Sequence, residues 1–216
     1  MRVSRSLLVF GILIIVLATT LAAEEKRFEI GPRVIMVTAG GEPANDMISV
    51  GVYGEYRLAG GNWYVGGAID QVSYDFERPW KFVGLQQDTT VDVIDASTDA
   101  TVLSGWIGRE YGRQERRLRF FWTAGLGVSS PDVEDVTGPV EGGGTFDITT
   151  DPGSEIIVSG TGGLRQRLGK RWSFQFALRA DRHFADWKVV DRVSGNTGTV
   201  DDYTGLGANV AFGFRF

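Results

Sequence analysis

The sequence of 216 residues contains no cysteine and a single histidine, His183. The absence of cysteine excludes disulfide bonds, and it excludes an N-terminus that carries lipid on a cysteine. Acidic residues outnumber basic ones and the formal net charge is −5, which argues against nucleic acid as a partner. After residue 23, no apolar run reaches the roughly 20 residues that a membrane-spanning helix needs.

The first 23 residues have the pattern of a secretory signal peptide. Arg2 and Arg5 form a basic start, residues 7–18 are apolar, and the small residues that suit cleavage end at Ala23. A membrane anchor is the alternative, but the apolar run is well short of the length that crosses a bilayer. We expect cleavage after residue 23, which leaves residues 24–216 as one domain with a net charge of −7 once the two arginines are lost.

The C-terminal segment alternates strictly between two faces. From Thr204 to Phe216, mostly apolar side chains take every second position, and glycine, alanine, asparagine or arginine takes the positions between them. Alternation of period two over this length predicts a β-strand. A strand of a soluble sandwich also alternates, but its polar face carries larger, solvated residues. Small and polar inward residues fit a narrow barrel lumen, and so does the high glycine count of 30.

Seven earlier segments repeat this alternation, which gives eight in all. They begin near Phe28, Ile48, Trp63, Leu103, Leu118, Ile156 and Trp172. The weakest is the segment from Leu103, because Arg109 falls on its apolar face. An arginine near a membrane rim can keep its charge in the interface at small cost.

The connections between these segments alternate in length. The short ones are residues 59–62, 112–117 and 169–171, and the long ones are 38–47, 76–98, 129–155 and 183–202. Outer-membrane barrels show the same alternation between periplasmic turns and extracellular loops. We predict an all-β chain: an eight-stranded antiparallel transmembrane up-and-down β-barrel after a cleaved signal peptide, with both termini in the periplasm. The third and fourth strands are expected to continue above the membrane as a hairpin.

In this architecture the chain resembles the small OmpA/OmpX-type outer-membrane β-barrels over residues 24–216. The ending looks like the C-terminal signal that the barrel-assembly machinery recognises, with Phe212, Phe214 and Phe216 as its aromatic residues. The resemblance implies a place in a bacterial outer membrane, contact with outer-membrane lipid and lipopolysaccharide, and the assembly machinery as a transient partner. In this superfamily the loops and the lumen carry function.

Charged residues collect on the predicted inward faces. They are Arg33, Glu55, Asp70, Glu110, Arg119, Arg165, Arg179 and Asp181. An isolated ion in a narrow lumen costs several kcal/mol, so these charges are expected to pair. An eight-stranded barrel is just wide enough for its side chains to fill it. We therefore expect a plug of salt bridges, with an ion pathway of mixed charge as the alternative.

The connection of residues 129–155 contains seven carboxylates and neither lysine nor arginine. Hard divalent cations prefer oxygen ligands, so Asp132, Glu134 and Asp135 are candidates for a Ca²⁺ or Mg²⁺ site. Their spacing matches no established calcium loop, and a solvated, mobile, acidic loop is the expected structure. No other metal site and no cofactor is expected, since the glycines at 142–144 lack the lysine of a phosphate-binding loop.

Aromatic residues lie in or beside the long connections. They are Trp80, Phe82, Phe184 and Trp187. An aromatic belt at the outer membrane interface is the expected role. A surface that binds a hydrophobic ligand or a host protein is the alternative.

His183 raises the question of catalysis. Outer-membrane lipid A deacylases resemble this kind of barrel and place a His-x-Ser motif on a strand. Here the second residue after His183 is Ala185, so the serine nucleophile of such a mechanism is missing. We expect a hydrogen-bonding role for His183 in the lumen or at the rim.

Three classes of function stay open. The first is a non-enzymatic structural or surface-interaction protein, with long acidic extracellular loops, a plugged polar lumen and an unknown extracellular ligand or host surface. The second is a narrow channel or a conduit for hydrophobic molecules, and the third is an outer-membrane lipid-modifying enzyme. The loop lengths favour the first class. A continuous lumen of small residues would favour the second, and a Ser–His–acid cluster would favour the third.

Overall fold

The computed structural model describes residues 27–39, 46–58, 61–78, 94–112, 116–139, 145–195, 197–200 and 202–216. All of the regular structure in these ranges is β-strand. Within the same ranges, no helix is long and apolar enough to cross a membrane. The predicted signal peptide, residues 1–23, lies outside the described residues, and so do Trp80 and Phe82.

The described residues form two sheets. The strands are β1 (Phe28–Ala39), β2 (Met47–Arg57), β3 (Trp63–Arg78), β4 (Ile94–Tyr111), β5 (Leu118–Val133), β6 (Val136–Pro139), β7 (Thr145–Asp151), β8 (Glu155–Leu168), β9 (Trp172–Phe184), β10 (Trp187–Asp191), β11 (Thr197–Val200) and β12 (Tyr203–Arg215). Strands β1–β5, β8, β9 and β12 pair antiparallel in a closed barrel, in which β12 pairs with β1 and Val34 lies opposite Val210. The predicted eight-stranded antiparallel barrel is therefore confirmed.

The outer wall of the barrel is apolar. Exposed and buried residues alternate along β9, where Leu178 points outward with 68% of its surface exposed and Ala177 is buried. The same holds around the wall, where the exposed apolar side chains include Met36, Val50, Leu103, Phe120, Leu126, Val158 and Leu206. A continuous exposed apolar surface of this kind is typical of a wall that faces lipid.

Two inward glycines make room for aromatic rings in the lumen. A Cβ atom on Gly66 would lie 2.5 Å from the indole of Trp106, and one on Gly108 would lie 2.4 Å from the ring of Tyr64. Both distances are shorter than normal van der Waals contact. At these two positions, a large inward ring is accommodated because its directly paired neighbour on the adjacent strand is glycine.

The two ends of the barrel differ. Short connections join β2 to β3, β4 to β5 and β8 to β9, as the sequence predicts. At the other end, β3 and β4 stay paired as far as Arg78 opposite Ile94, so the two strands continue as a hairpin past their other partners. Residues 79–93, which include the rest of the predicted extension, lie outside the described residues. We call the two ends the short-connection end and the long-connection end.

The prediction of a mobile acidic loop between residues 129 and 155 was wrong. Strands β6 and β7 of that connection pair with each other, and β7 also pairs with β10, which comes from the connection between β9 and β12. With β11 they form a four-stranded sheet of order β11-β10-β7-β6, which we call the outer sheet. Neither connection could form this sheet alone, because its central pairing joins segments that are distant in the sequence.

Candidate functional site

An arginine bridges two carboxylates across the lumen near the short-connection end. Arg165 of β8 donates hydrogen bonds to both Glu55 of β2 and Glu110 of β4. Glu110 also accepts hydrogen bonds from Arg57 and Arg119, the latter at 2.8 Å. These five residues are called the charge network. The side chains of Glu55, Glu110, Arg119 and Arg165 are each 5% exposed or less, so the network is buried inside the barrel.

The guanidinium of Arg165 is surrounded on its faces as well as on its edges. Its central carbon lies 4.9 Å from the ring centroid of Tyr64 and 5.3 Å from that of Phe121. Aromatic rings stabilise the cation through its faces, while the N–H edges bind carboxylates. The two terminal nitrogens of Arg165 thus bind carboxylates and its faces contact rings, while its Nε is buried without a hydrogen-bond partner.

Glu29 forms a second buried cluster beside the charge network. It accepts hydrogen bonds from Arg215 at 2.6 Å, from Ser173 at 2.7 Å and from Tyr53 at 2.8 Å. Glu29, Arg57 and Arg215 are not among the eight lumen residues that the sequence analysis predicts. Their positions in the period-two alternation place them on the inward face, so the same signal could have found them.

Two further ion pairs lie nearer the middle of the barrel. Arg33 donates from Nε to Asp70 Oδ1 at 2.7 Å and from Nη2 to Ser104 Oγ at 3.0 Å. Arg179 donates to Asp181 of the same strand at 2.7 Å. All eight predicted lumen residues thus face inward. The structure gathers them into three groups: Glu55, Glu110, Arg119 and Arg165; Arg33 with Asp70; and Arg179 with Asp181.

A small polar cavity lies among these groups. Its lining includes Arg33, Glu55, Thr123, Thr161 and Arg179, and its volume is about 20 Å³. A water molecule needs about 10–15 Å³ measured in this way. The cavity therefore has room for one or two waters and falls far short of a pore.

At the long-connection end the interior becomes apolar. Trp187, Val189 and Ile148 of the outer sheet are buried together with inward residues of the barrel strands, namely Ile35, Val37, Met47, Tyr74, Ala100 and Tyr203. Trp187 is completely buried, so its predicted place in an interfacial aromatic belt was wrong. We call this cluster the apolar cap. It packs the outer sheet onto the barrel mouth.

His183 belongs to a buried polar pair beside the apolar cap. Its Nδ1 lies 3.0 Å from Glu155 Oε1, and its ring stacks on that of Tyr203 at 4.4 Å between centroids. Ala185, at the position where a deacylase would have serine, packs against the apolar cap. The contacts of His183 fit a hydrogen-bonding role inside the barrel, and no hydroxyl nucleophile stands at position 185.

The candidate cation ligands are not brought together. Asp132 lies on β5 opposite Asp99, while Asp135 forms an ion pair of 2.9 Å with Arg192. In the part of the chain that the structure describes, no group of three or more His, Asp or Glu side chains could hold a metal ion. A hydrogen bond with Thr149 and the charge of Arg192 lower the pKa of Asp135. The sequence did not indicate this pairing, because Arg192 comes from a different connection.

The predicted assembly residues cluster on the outside of the last strand. Phe212 lies 5.1 Å from the ring of Trp172, Phe214 lies 4.7 Å from the same ring, and Phe216 lies 5.0 Å from Phe214. The backbone N–H of Phe216 donates to the carbonyl of Phe28 at 3.0 Å, next to the seam where β12 meets β1. These aromatic residues therefore border the closing seam of the barrel.

Solved structures of other proteins have the same architecture. Neisserial surface protein A is 11% identical, with a TM-score of 0.54 over 88% of this chain and 97% of that chain. A major outer membrane protein from Thermus thermophilus is 13% identical, with a TM-score of 0.53 over 88% of this chain and 99% of that chain. No protein-family model and no curated protein sequence matches the chain.

This is the fold of the small eight-stranded outer-membrane β-barrels. The family resemblance predicted from the alternating segments is thereby confirmed at the level of architecture. At identities this low, the likeness concerns the fold alone.

Proposed function

We propose that this protein is a non-enzymatic barrel of a bacterial outer membrane, with a closed lumen, whose outer sheet serves in surface interaction. The observation that supports the proposal is that buried side chains lie in the interior at both ends of the barrel. The charge network occupies the short-connection end, and the apolar cap with Trp187 occupies the long-connection end. Because ions and small molecules have little room to pass through such a lumen, we expect the function to lie on the outer surface of the barrel.

The apolar wall supports the membrane location. Exposed apolar side chains surround the barrel, and a wall of this kind is stable in lipid but unfavourable in water. We assign the short-connection end and both termini to the periplasm, in keeping with the short turns of outer-membrane barrels. Lipid and lipopolysaccharide would then surround the wall, and Phe212, Phe214 and Phe216 would serve the assembly machinery.

The orientation can be tested by labelling, because the chain has no cysteine of its own. Lys188 of the outer sheet and Lys170 of a short connection are both exposed. In intact cells, a membrane-impermeant maleimide should label the Lys188→Cys variant and leave the Lys170→Cys variant unlabelled. Both variants should react after lysis. The reverse pattern would invert the orientation, and equal labelling in intact cells would contradict the membrane topology.

The closed lumen is tested by conductance. Purified wild-type protein in planar bilayers should give no sustained current, because the charge network and the apolar cap block the interior. Steady channel activity would replace this proposal with the narrow-channel alternative. The Trp187→Ala variant is a useful companion, since it removes the largest side chain of the cap and leaves the charge network in place.

The surface role is tested by removing half of the outer sheet. Deletion of residues 136–151 takes away β6 and β7, while the eight barrel strands keep their partners. The variant should still migrate differently when boiled and unboiled, and it should lose binding to host cells or to lipopolysaccharide. Unchanged binding to both would contradict a role for the outer sheet. A change of lipid A acylation in the His183→Ala variant would overturn the non-enzymatic assignment.

A further inference from the structure

An arginine lies among aromatic rings on the lipid-facing wall near the short-connection end. In the sheet register, Arg109 of β4 is opposite both Trp63 of β3 and Trp122 of β5. Its guanidinium carbon lies 5.3 Å from the ring centroid of Trp63 and 5.1 Å from that of Tyr111. The two tryptophans are in edge-to-face contact at 5.8 Å, and Trp122 Nε1 donates to the Tyr111 hydroxyl at 3.0 Å. We call these four residues the Arg109 cluster.

Arg109 differs from two other arginines that also stack on aromatic rings. Arg165 stacks on Tyr64 and donates to two carboxylates, and the outward-facing Arg182 stacks on Phe184 and pairs with Asp202 at 3.2 Å. The Nε atoms of Arg109 and Arg165 are both buried without a hydrogen-bond partner, so the difference between these two arginines lies in the carboxylates that Arg165 binds through its other nitrogens. Among the residues that the structure describes, no carboxylate forms an ion pair with Arg109.

The unsatisfied groups are the edges of the guanidinium. Stacked rings interact with its faces, whereas its N–H donors lie in the plane and need oxygen acceptors. On a wall surrounded by lipid, water does not supply them fully, so an anion is the expected ligand. A phosphate group suits the planar fork of arginine because it can accept two parallel hydrogen bonds.

The height of the Arg109 cluster matches the headgroup region. Arg109 lies two residues before the end of β4, which is about 7 Å along the strand. Tryptophan and tyrosine concentrate at the level of lipid headgroups. The connection that follows contains the exposed residues Arg116 and Arg117, which add positive charge at the same end.

We propose that the Arg109 cluster is a binding site for the phosphate group of an anionic phospholipid in the inner leaflet. The guanidinium edges of Arg109 donate to the phosphate oxygens, while Trp63 and Tyr111 hold the cation in place and Trp122 supports both of these rings. The choice of leaflet rests on the proposed function, because it follows from the periplasmic assignment of the short-connection end. The phosphate chemistry does not depend on that assignment.

The test measures phospholipid that stays bound to the refolded full chain in detergent micelles. Native mass spectrometry with added phosphatidylglycerol gives the bound fraction for the wild type and for variants. Loss of hydrogen bonds to a charged group should weaken binding by about tenfold in Arg109→Gln. Arg109→Lys, which keeps the charge but loses the planar fork, should lie between the two. The matched control is Arg182→Gln, an outward arginine with its own carboxylate, which should bind lipid like the wild type.

Several results would overturn the site. One is that Arg109→Gln binds phosphatidylglycerol as well as the wild type does. Another is that the wild type binds diacylglycerol, which lacks phosphate, as well as it binds phosphatidylglycerol. The third is that inorganic phosphate displaces phosphatidylglycerol when both are at the same concentration. Heat-modifiable migration of each variant checks that the barrel is folded. The maleimide labelling could show the opposite orientation while Arg109→Gln still loses bound phospholipid. That result would contradict the proposed topology but would support the phosphate site.

Discussion

Arg165 and Glu110 pair inside the barrel although they lie on β8 and β4, two strands that are not neighbours in the wall. The backbone hydrogen bonds of the barrel wall join only neighbouring strands. This side-chain pair joins strands that β5 keeps apart, and Arg165 extends the link to Glu55 on β2. The charge network thus braces the barrel across its diameter.

Removal of the Glu110 charge should strongly destabilise the barrel. The Glu110→Gln variant leaves the buried Arg165 and Arg119 short of an anionic partner, and breaking a buried ion pair in this way costs about 3–5 kcal/mol. Urea unfolding of protein folded in lipid vesicles measures the change. Asp135→Asn is the control, because its pair with Arg192 is exposed to solvent and exposed ion pairs contribute little to stability. Equal losses in the two variants would contradict the bracing role.

The space around Tyr64 should tolerate no added atom. In Gly108→Ala the new methyl group meets the buried ring of Tyr64, and overpacking of this kind costs about 1–3 kcal/mol. The outward Gly162 has no heavy atom within 4 Å of a Cβ position, so Gly162→Ala should be neutral or slightly stabilising. The two variants should be compared by the same urea titration. A larger loss in Gly162→Ala would mean that the assignment of the two faces is wrong.

A charge on the middle of the wall should oppose insertion. Leu178 is central in β9 and highly exposed, and arginine on a lipid-facing position near the midplane costs about 2–4 kcal/mol. Leu178→Arg should therefore lower the yield of heat-modifiable protein after refolding into vesicles. Leu178→Ala separates the loss of side-chain size from the gain of charge. If both variants refold equally well, this face of β9 does not contact lipid.

The outer sheet should loosen in acid. Burial alone would raise the pKa of Asp191, but hydrogen bonds from Ser194 and from the backbone N–H groups of Asp147 and Val193 lower it below its usual value of 3.8. A carboxyl whose pKa is lower in the folded state contributes stability above its unfolded pKa and loses that contribution as the pH falls through the folded pKa. Proteolysis of the outer sheet should therefore increase below about pH 3.8. Asp191→Asn should be cleaved more readily at neutral pH, with less dependence on acid.

The wall of the barrel was predictable from the sequence because it depends on local alternation. Each strand carries its own signal, and Leu178 beside Ala177 reveals the two faces without knowledge of any neighbour. The same signal places Arg165 and Glu110 on the inward side. It does not give their pairing, which depends on strand register and on how far each side chain reaches across the lumen.

The outer sheet was missed for a related reason. Ile148 and Trp187 become buried only when β7 meets β10, and these strands are separated by β8 and β9 in the sequence. Taken separately, each connection looks like a polar loop that contains a few apolar residues. The ion pair between Asp135 and Arg192 likewise joins two connections, so neither sequence segment indicates it alone.

Because β7 pairs with β10, the exposed face of the outer sheet is built from two segments that are distant in the sequence, as in a discontinuous epitope. An antibody raised against a synthetic peptide of residues 145–151 or of residues 187–191 would be selected for a single strand. It would not be selected for the paired face, which carries side chains of both strands. The two connections also depend on each other in packing, because a substitution in one strand would change the contacts of the other. Loop grafting onto this scaffold would therefore require both connections to be exchanged together.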